Sequence, residues 1–180
     1  MLTSTPMRAP STLERPRFEV PAGACDAHVH VFGPADRYPR VPHPHYTLPD
    51  GAQSKLEGAL EALGVERYVI VQPSYYGTDN RCMLDALDRR GDRARGVAMI
   101  DDDIEDEALA RMHERGVRAL RLDLFLRARL PGRELRAYIE RSVRRASRLG
   151  WHVQFYTPGS VVRDLIPFLP SIDADFVIDH

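Results

Sequence analysis

Apolar and polar positions follow two periods along this chain. Short runs with period two, or of nearly continuous apolar character, fall at Cys25–Phe32, Arg67–Gln72, Gly96–Ile100, Ala119–Leu124, His152–Tyr156 and Phe176–His180. Runs of this length and composition predict strands. Between them, apolar residues recur at three- and four-residue spacing. Leu56, Ala59, Leu60 and Leu63 follow Ser54-Lys55-Leu56-Glu57, which has the form of a capping box, and Gly64 stops the run. Asp79 opens a second helical pattern through Met83, Ala86 and Leu87. Ile104, Ala108, Leu109 and Met112 form a third, ended by Gly116. Leu135, Tyr138, Ile139, Val143 and Ala146 form a fourth, ended by Gly150, and Val162, Leu165, Ile166 and Leu169 a fifth, closed by Pro170. Six strands alternating with five helices predict a parallel sheet built by right-handed crossovers.

Two segments break the alternation. Residues 1–22 carry Pro6, Pro10, Pro16 and Pro21 and read as an irregular leader, leaving 23–180 as one domain. Residues 33–53 form a long, Pro-rich loop after the first strand, the kind of loop that carries function at the C-terminal end of a parallel strand. A (β/α)8 barrel needs eight strands and about 250 residues. Six strands in 180 residues fit an open sheet or a barrel lacking its last quarter, and the apolar run at the end favours the second, an α/β chain of TIM-barrel type truncated after about six strands.

Polar side chains gather at the strand ends. His28 and His30 flank Val29, so on a strand they share one face and aim two imidazoles at one small volume. Strand four sets Arg121 and Asp123 against Leu120, Leu122 and Leu124. Strand five sets His152, Gln154 and Tyr156 against Val153 and Phe155, and strand six puts Phe176, Ile178 and His180 on one face. His28, His30 and His180 thus coincide at the ends of inward faces, where barrel active sites lie. Other polar residues have structural readings. His43 and His45 read as solvated loop residues, His113 as helix surface, His152 as structural and Gln154 as an interior hydrogen-bonding filler.

The charge balance, 25 Lys+Arg against 26 Asp+Glu, argues for neither a nucleic-acid nor a membrane partner. The basic run Arg133–Arg148 reads as a solvated helix face. Two cysteines, Cys25 and Cys82, without CxxC spacing predict reduced thiols and a cytoplasmic protein. The first twenty residues hold no apolar core of a secretory signal. Oligomeric state is not encoded legibly.

The segments Cys25-Asp26-Ala27-His28-Val29-His30-Val31-Phe32-Gly33-Pro34, Val71-Gln72-Pro73-Ser74-Tyr75-Tyr76-Gly77-Thr78-Asp79-Asn80, Trp151-His152-Val153-Gln154 and Val177-Ile178-Asp179-His180 resemble the amidohydrolase superfamily, in the branch that contains the 2-pyrone-4,6-dicarboxylate lactonases. The resemblance implies a (β/α)8 hydrolase that opens a small carboxylated lactone without a cofactor. It implies that His28, His30 and His180 polarise the lactone carbonyl, and that Tyr46, Ser74, Tyr76, Arg121, Arg127 and Tyr156 hold the carboxylates and ring. Metal-dependent relatives carry a histidine near the end of strand five and a bridging lysine or glutamate on strand four. Tyr156 and Arg121 stand there instead, which favours the metal-free branch. A single divalent ion such as zinc on His28, His30 and His180 is the alternative, acting on another lactone or amide. The superfamily activates water with an aspartate after strand eight, so the 180-residue chain is expected to hydrolyse poorly by itself, or only to bind a carboxylated ligand.

Overall fold

The computed structural model describes residues 14–41 and 53–179. Six strands, β1 (Cys25–Val29), β2 (Arg67–Val71), β3 (Ala94–Ala98), β4 (Val117–Asp123), β5 (His152–Tyr156) and β6 (Phe176–Asp179), lie side by side in chain order, every neighbouring pair parallel. Between them run α1 (Gln53–Leu63), α2 (Arg81–Arg90), α3 (Asp106–Glu114), α4 (Gly132–Arg148) and α5 (Gly159–Leu165). An order that never reverses is that of a barrel wall rather than of a doubly wound sheet, whose strand order turns back at a switch point.

The two faces of the sheet bury different things. Tyr68, Ile70, Leu120, Leu122, Val153 and Phe155 face outward and form one core with helical Leu60, Met83, Leu87, Leu109, Ile139 and Ala146. Each such aliphatic side chain contributes about 1.5–3 kcal/mol on leaving water. The helix α2 approaches so closely that a Cβ on Gly96 of β3 would stand 2.9 Å from Leu87 Cδ1 and 3.2 Å from Met83 Sδ. The inner face carries a small separate cluster of Val71, Val97 and Ala119, with Val69 against it. Above that apolar floor, toward the C-terminal ends of the strands, the inward residues are polar.

Several element ends differ from the sequence expectation. Among the described residues α1 runs from Gln53, so Ser54 already lies inside the helix. Gln53 Nε2 donates to Glu57 Oε1 at 2.9 Å, giving the helix start a different hydrogen bond from the capping box. Helix α2 begins at Arg81, after Asn80. Asn80 is buried and spends its amide on Met99: Nδ2 donates to the Met99 carbonyl at 2.7 Å and Oδ1 accepts its N–H at 3.2 Å, tying the helix start to the end of β3. His113 is half-buried and not simply a solvated helix residue. Its Nδ1 accepts the Trp151 indole N–H at 2.9 Å and the two rings stack in parallel, because a buried indole needs an acceptor. Residues 14–24 carry no helix or strand. Loop residues 33–41 fold back on α2, with Tyr38 Oη donating to Asp85 at 2.7 Å. Gly33 is required there, since a Cβ would sit 2.1 Å from the Tyr38 ring. His43, His45 and Tyr46 lie outside the described residues.

Candidate active site

The polar layer at the barrel mouth follows from strand phase and register. Val29 and Val31 enter the outer core, so His28 and His30 face inward. Alternation turns Arg121 and Asp123 inward from β4, and Gln154 and Tyr156 inward from β5. The pairing sets Arg121 beside Gln154, Asp123 beside Tyr156, and Tyr156 beside Asp179 of β6. Asp123, Tyr156 and Asp179 therefore form one row across three strands.

These side chains meet. The His28 and His30 rings stand 5.1 Å apart, edge to face. His28 Nδ1 lies 3.4 Å from Asp179 Oδ1 and 3.4 Å from the Gln154 amide nitrogen. Arg121, buried, places its guanidinium 3.5 Å from Asp179 Oδ2 and over the Tyr156 ring at 4.4 Å. The stack and the carboxylate compensate a cation that burial would otherwise penalise heavily. Tyr156 packs in turn on Phe125, with ring centroids 4.5 Å apart.

His30 differs from its neighbour in what fixes it. Its Nδ1 lies 2.7 Å from the Val71 carbonyl oxygen. A carbonyl only accepts, so Nδ1 carries the proton. Burial, first, pushes the pKa of His30 down from 6.5 to about 4; the Val71 carbonyl pulls it up, and the Arg121 guanidinium pushes it down again. The ring is neutral near pH 7.

A second polar unit sits beside the first. Ser74, at the start of a short 3-10 turn after β2, donates its hydroxyl to Asp123 Oδ2 at 2.6 Å. Asp123 Oδ1 accepts the Leu126 N–H at 3.1 Å, so this buried carboxylate ties the β2 loop to the β4 loop.

The structure thus brings together His28, His30, Arg121 and Tyr156, with Ser74 at their margin. Two of the expected substrate contacts lie elsewhere. Tyr76 is buried in the outer core, its hydroxyl accepting the Gly33 N–H at 3.1 Å, because the turn after β2 points it under the β1 loop. Arg127 leans on Tyr138 of α4, its guanidinium 4.1 Å from that ring, lines a groove with Glu134 and Arg141, and donates to the Asp123 carbonyl at 3.4 Å, so it reaches the site through the backbone end of β4 and not through its inner face. Tyr46 and His180 lie outside the described residues. Strand β6 also reverses one expectation. Ile178 lines a small cavity with Val162 and Leu165 of α5, and Phe176 packs toward Phe155, so both face outward. Asp179 takes the inward place. It was absent from the expected site, and pairing with Tyr156 is the signal that reveals it. Among the described residues, no three His, Cys, Asp or Glu side chains are grouped to hold a metal ion. His180, the third member of the ion set that the resemblance offers, is not among them.

Comparison with known proteins agrees with this architecture. The chain is 37% identical over 92% of its length to a 2-pyrone-4,6-dicarboxylate hydrolase from Comamonas testosteroni. It is 32% identical over 91% of its length to a 4-sulfomuconolactone hydrolase from Hydrogenophaga intermedia. It covers 54% of each, so the chain spans about half the length of the curated relatives it matches. The crystal structure of a probable 2-pyrone-4,6-dicarboxylic acid hydrolase from Acinetobacter baumannii, with citric acid bound, superposes with a TM-score of 0.75 at 28% identity, over 88% of this chain and 58% of that one. Helices on one face, a sequentially ordered parallel wall and a histidine pair at the end of its first strand accompany a match to the Amidohydrolase family model over residues 25–180, and the chain belongs to that family.

Proposed function

We propose that this site serves the opening of a carboxylated lactone ring by water, with a 2-pyrone-4,6-dicarboxylate-like compound as the substrate class. The observation that carries the proposal is the buried Arg121 cation on the inner face, at the same strand ends as His28 and His30. A dianionic ring needs a cationic fork, and a guanidinium binds carboxylate through two parallel N–H bonds. Tyr156 under that guanidinium supplies an aromatic wall beside it. The histidine cluster faces the carbonyl and its water, where preorganised groups stabilise developing charge without reorganising. The relatives' names point the same way, and the Acinetobacter structure holds citric acid, itself a polycarboxylate. No cofactor enters this chemistry, and cytoplasmic residence would suit it.

Ultraviolet absorbance of the pyrone ring tests the reading. The expected result is slow ring opening, still above the uncatalysed rate. Arg121→Met should raise KM for the dicarboxylate about tenfold or more, the cost of about 1.4 kcal/mol of charge-assisted binding, while sparing a neutral lactone. Equal losses on both substrates would refute charge recognition by Arg121. Binding of the dicarboxylate without turnover would leave only a ligand-binding half of a site. One tightly bound zinc per chain, required for activity, would overturn the metal-free chemistry.

A further inference from the structure

We infer that Phe125 is a specificity-determining residue: its ring continues an aromatic wall at the barrel mouth that selects a flat, conjugated dicarboxylate over a flexible one. The inference rests on the lactone-hydrolase reading above and deepens it, from recognition of an anion by Arg121 to recognition of the ring that carries the anion.

Strand geometry puts Phe125 on the cleft side. Beyond Asp123, the last residue of β4, the Leu124 N–H donates to the Tyr156 carbonyl at 2.8 Å, so the chain follows β5 for one more step. Leu124 itself is fully buried in the outer core. Alternation therefore returns Phe125 to the inner side, in line with Arg121 and Asp123. Tyr156 pairs with Asp123, which makes Arg121 and Phe125 its two diagonal neighbours on that face. Both reach it. The Arg121 guanidinium stands 4.4 Å from the centre of the Tyr156 ring, and the Phe125 ring 4.5 Å, tilted by 39°. Cation, phenol and phenyl ring thus rise in that order from the buried layer to the rim.

The backbone on either side of Phe125 is fixed. The ladder bond holds Leu124, and Asp123 Oδ1 accepts the Leu126 N–H at 3.1 Å. The ring is set in place, yet 47% of the residue's surface is open to solvent. Packing on Tyr156 accounts for the covered part only. Arg121 is buried and Phe125 is at the rim, so a ligand whose carboxylate sits on the guanidinium must extend its body toward the rim, along these two rings. A flat conjugated ring meets them with offset or edge-to-face contacts. An open-chain dicarboxylate of the same charge has no π face to offer.

Calorimetric titration with two non-reacting probes tests this. Isophthalate carries its carboxylates in 1,3 relation on a flat ring, and glutarate sets two carboxylates on the same three-carbon span without a ring. The wild type should prefer isophthalate. Phe125→Leu, apolar and of similar size, should weaken isophthalate binding about three- to tenfold and leave glutarate unchanged. Phe125→Tyr, which keeps the π face, should restore the preference. A wild type that binds both probes equally would overturn the inference. So would a Phe125→Leu variant that loses both alike, as a mere support of the loop would, or that loses neither. Neither probe can be hydrolysed, so a protein that selects isophthalate through Phe125 but opens no lactone keeps this inference and loses the hydrolase reading. A wild type that binds neither probe refutes the dicarboxylate site itself, and the role of Phe125 falls with it.

Discussion

The burial of His30 makes the stability of this protein depend on pH in a defined window. Its pKa falls from 6.5 to about 4 in the folded state, chiefly through loss of hydration. At about 1.4 kcal/mol for each tenfold change in proton affinity, that difference is worth about 3 kcal/mol. The sign follows from proton counting. Below pH 6.5 the unfolded chain gains a proton on His30 that the native protein refuses, so acid favours unfolding. The contribution is fully present above pH 6.5, declines as the pH falls, and is exhausted near pH 4. His152, also depressed by burial, adds to the same window. Asp79 and Asp85, held low by hydrogen bonds from Arg81 and Tyr38, add a separate loss at more acidic pH. Urea unfolding from pH 4.5 to 7.5 reads the total, and His30→Gln isolates one residue: the variant should be less stable at pH 7.5, yet lose clearly less stability over this range. The His30 Cε1 proton shift, followed by NMR, gives the pKa directly. A native His30 that titrates between 6 and 7, or a variant with the wild-type pH slope, would refute the desolvation argument.

Two further outcomes follow from the packing. Asp123→Ala removes the acceptor of both the Ser74 hydroxyl and the Leu126 N–H. It should cost about 1–3 kcal/mol in urea unfolding, while Asp123→Asn, which keeps an acceptor, costs less. Gly96→Val drives a side chain into Leu87 and Met83, which already stand within 3.2 Å of the missing Cβ. Overpacking of about 1–3 kcal/mol should lower Tm by about 2–4 °C per kcal/mol in differential scanning calorimetry, and an unchanged Tm would show that α2 can move off the sheet.

How much of this was legible in the sequence varied with the strength of the local signal. The alternation of strand and helix fixed the architecture, because period two and period 3.6 are hard to confuse over runs of this length. The inward phase of β4 and β5 was legible because leucine, valine and phenylalanine alternate there with Arg121, Asp123, Gln154 and Tyr156. On β6 the same logic had nothing to grip. Phe176, Val177 and Ile178 are apolar on both faces, so only pairing with β5 sets the phase that turns Asp179 inward. Tyr76 and Arg127 sit in turns, where side-chain direction depends on backbone dihedrals that no spacing encodes. His113 carried a helical-surface pattern, and its partner Trp151 lies far along the chain. The expected roles of Tyr46 and His180 fall outside the described residues.

The inner face of the sheet joins two kinds of interior in one short stack. Val69, Val71, Val97 and Ala119 bury apolar surface and ask nothing of their neighbours. One layer above, Arg121 and Asp179 are both buried and 3.5 Å apart, a separation that gains Coulomb energy without an ideal hydrogen bond. A pair of this kind rarely repays its own desolvation, and well-packed apolar residues in its place are often as stable or more so. Stability therefore does not explain why charge occupies this layer when the layer beneath it does without. The proposed function offers a reason. A guanidinium stripped of bulk water, stacked on Tyr156 and standing 3.5 Å from Asp179, would have its orientation set before an anion arrives. An incoming carboxylate would then meet a preorganised fork and spend little of its binding energy on ordering it.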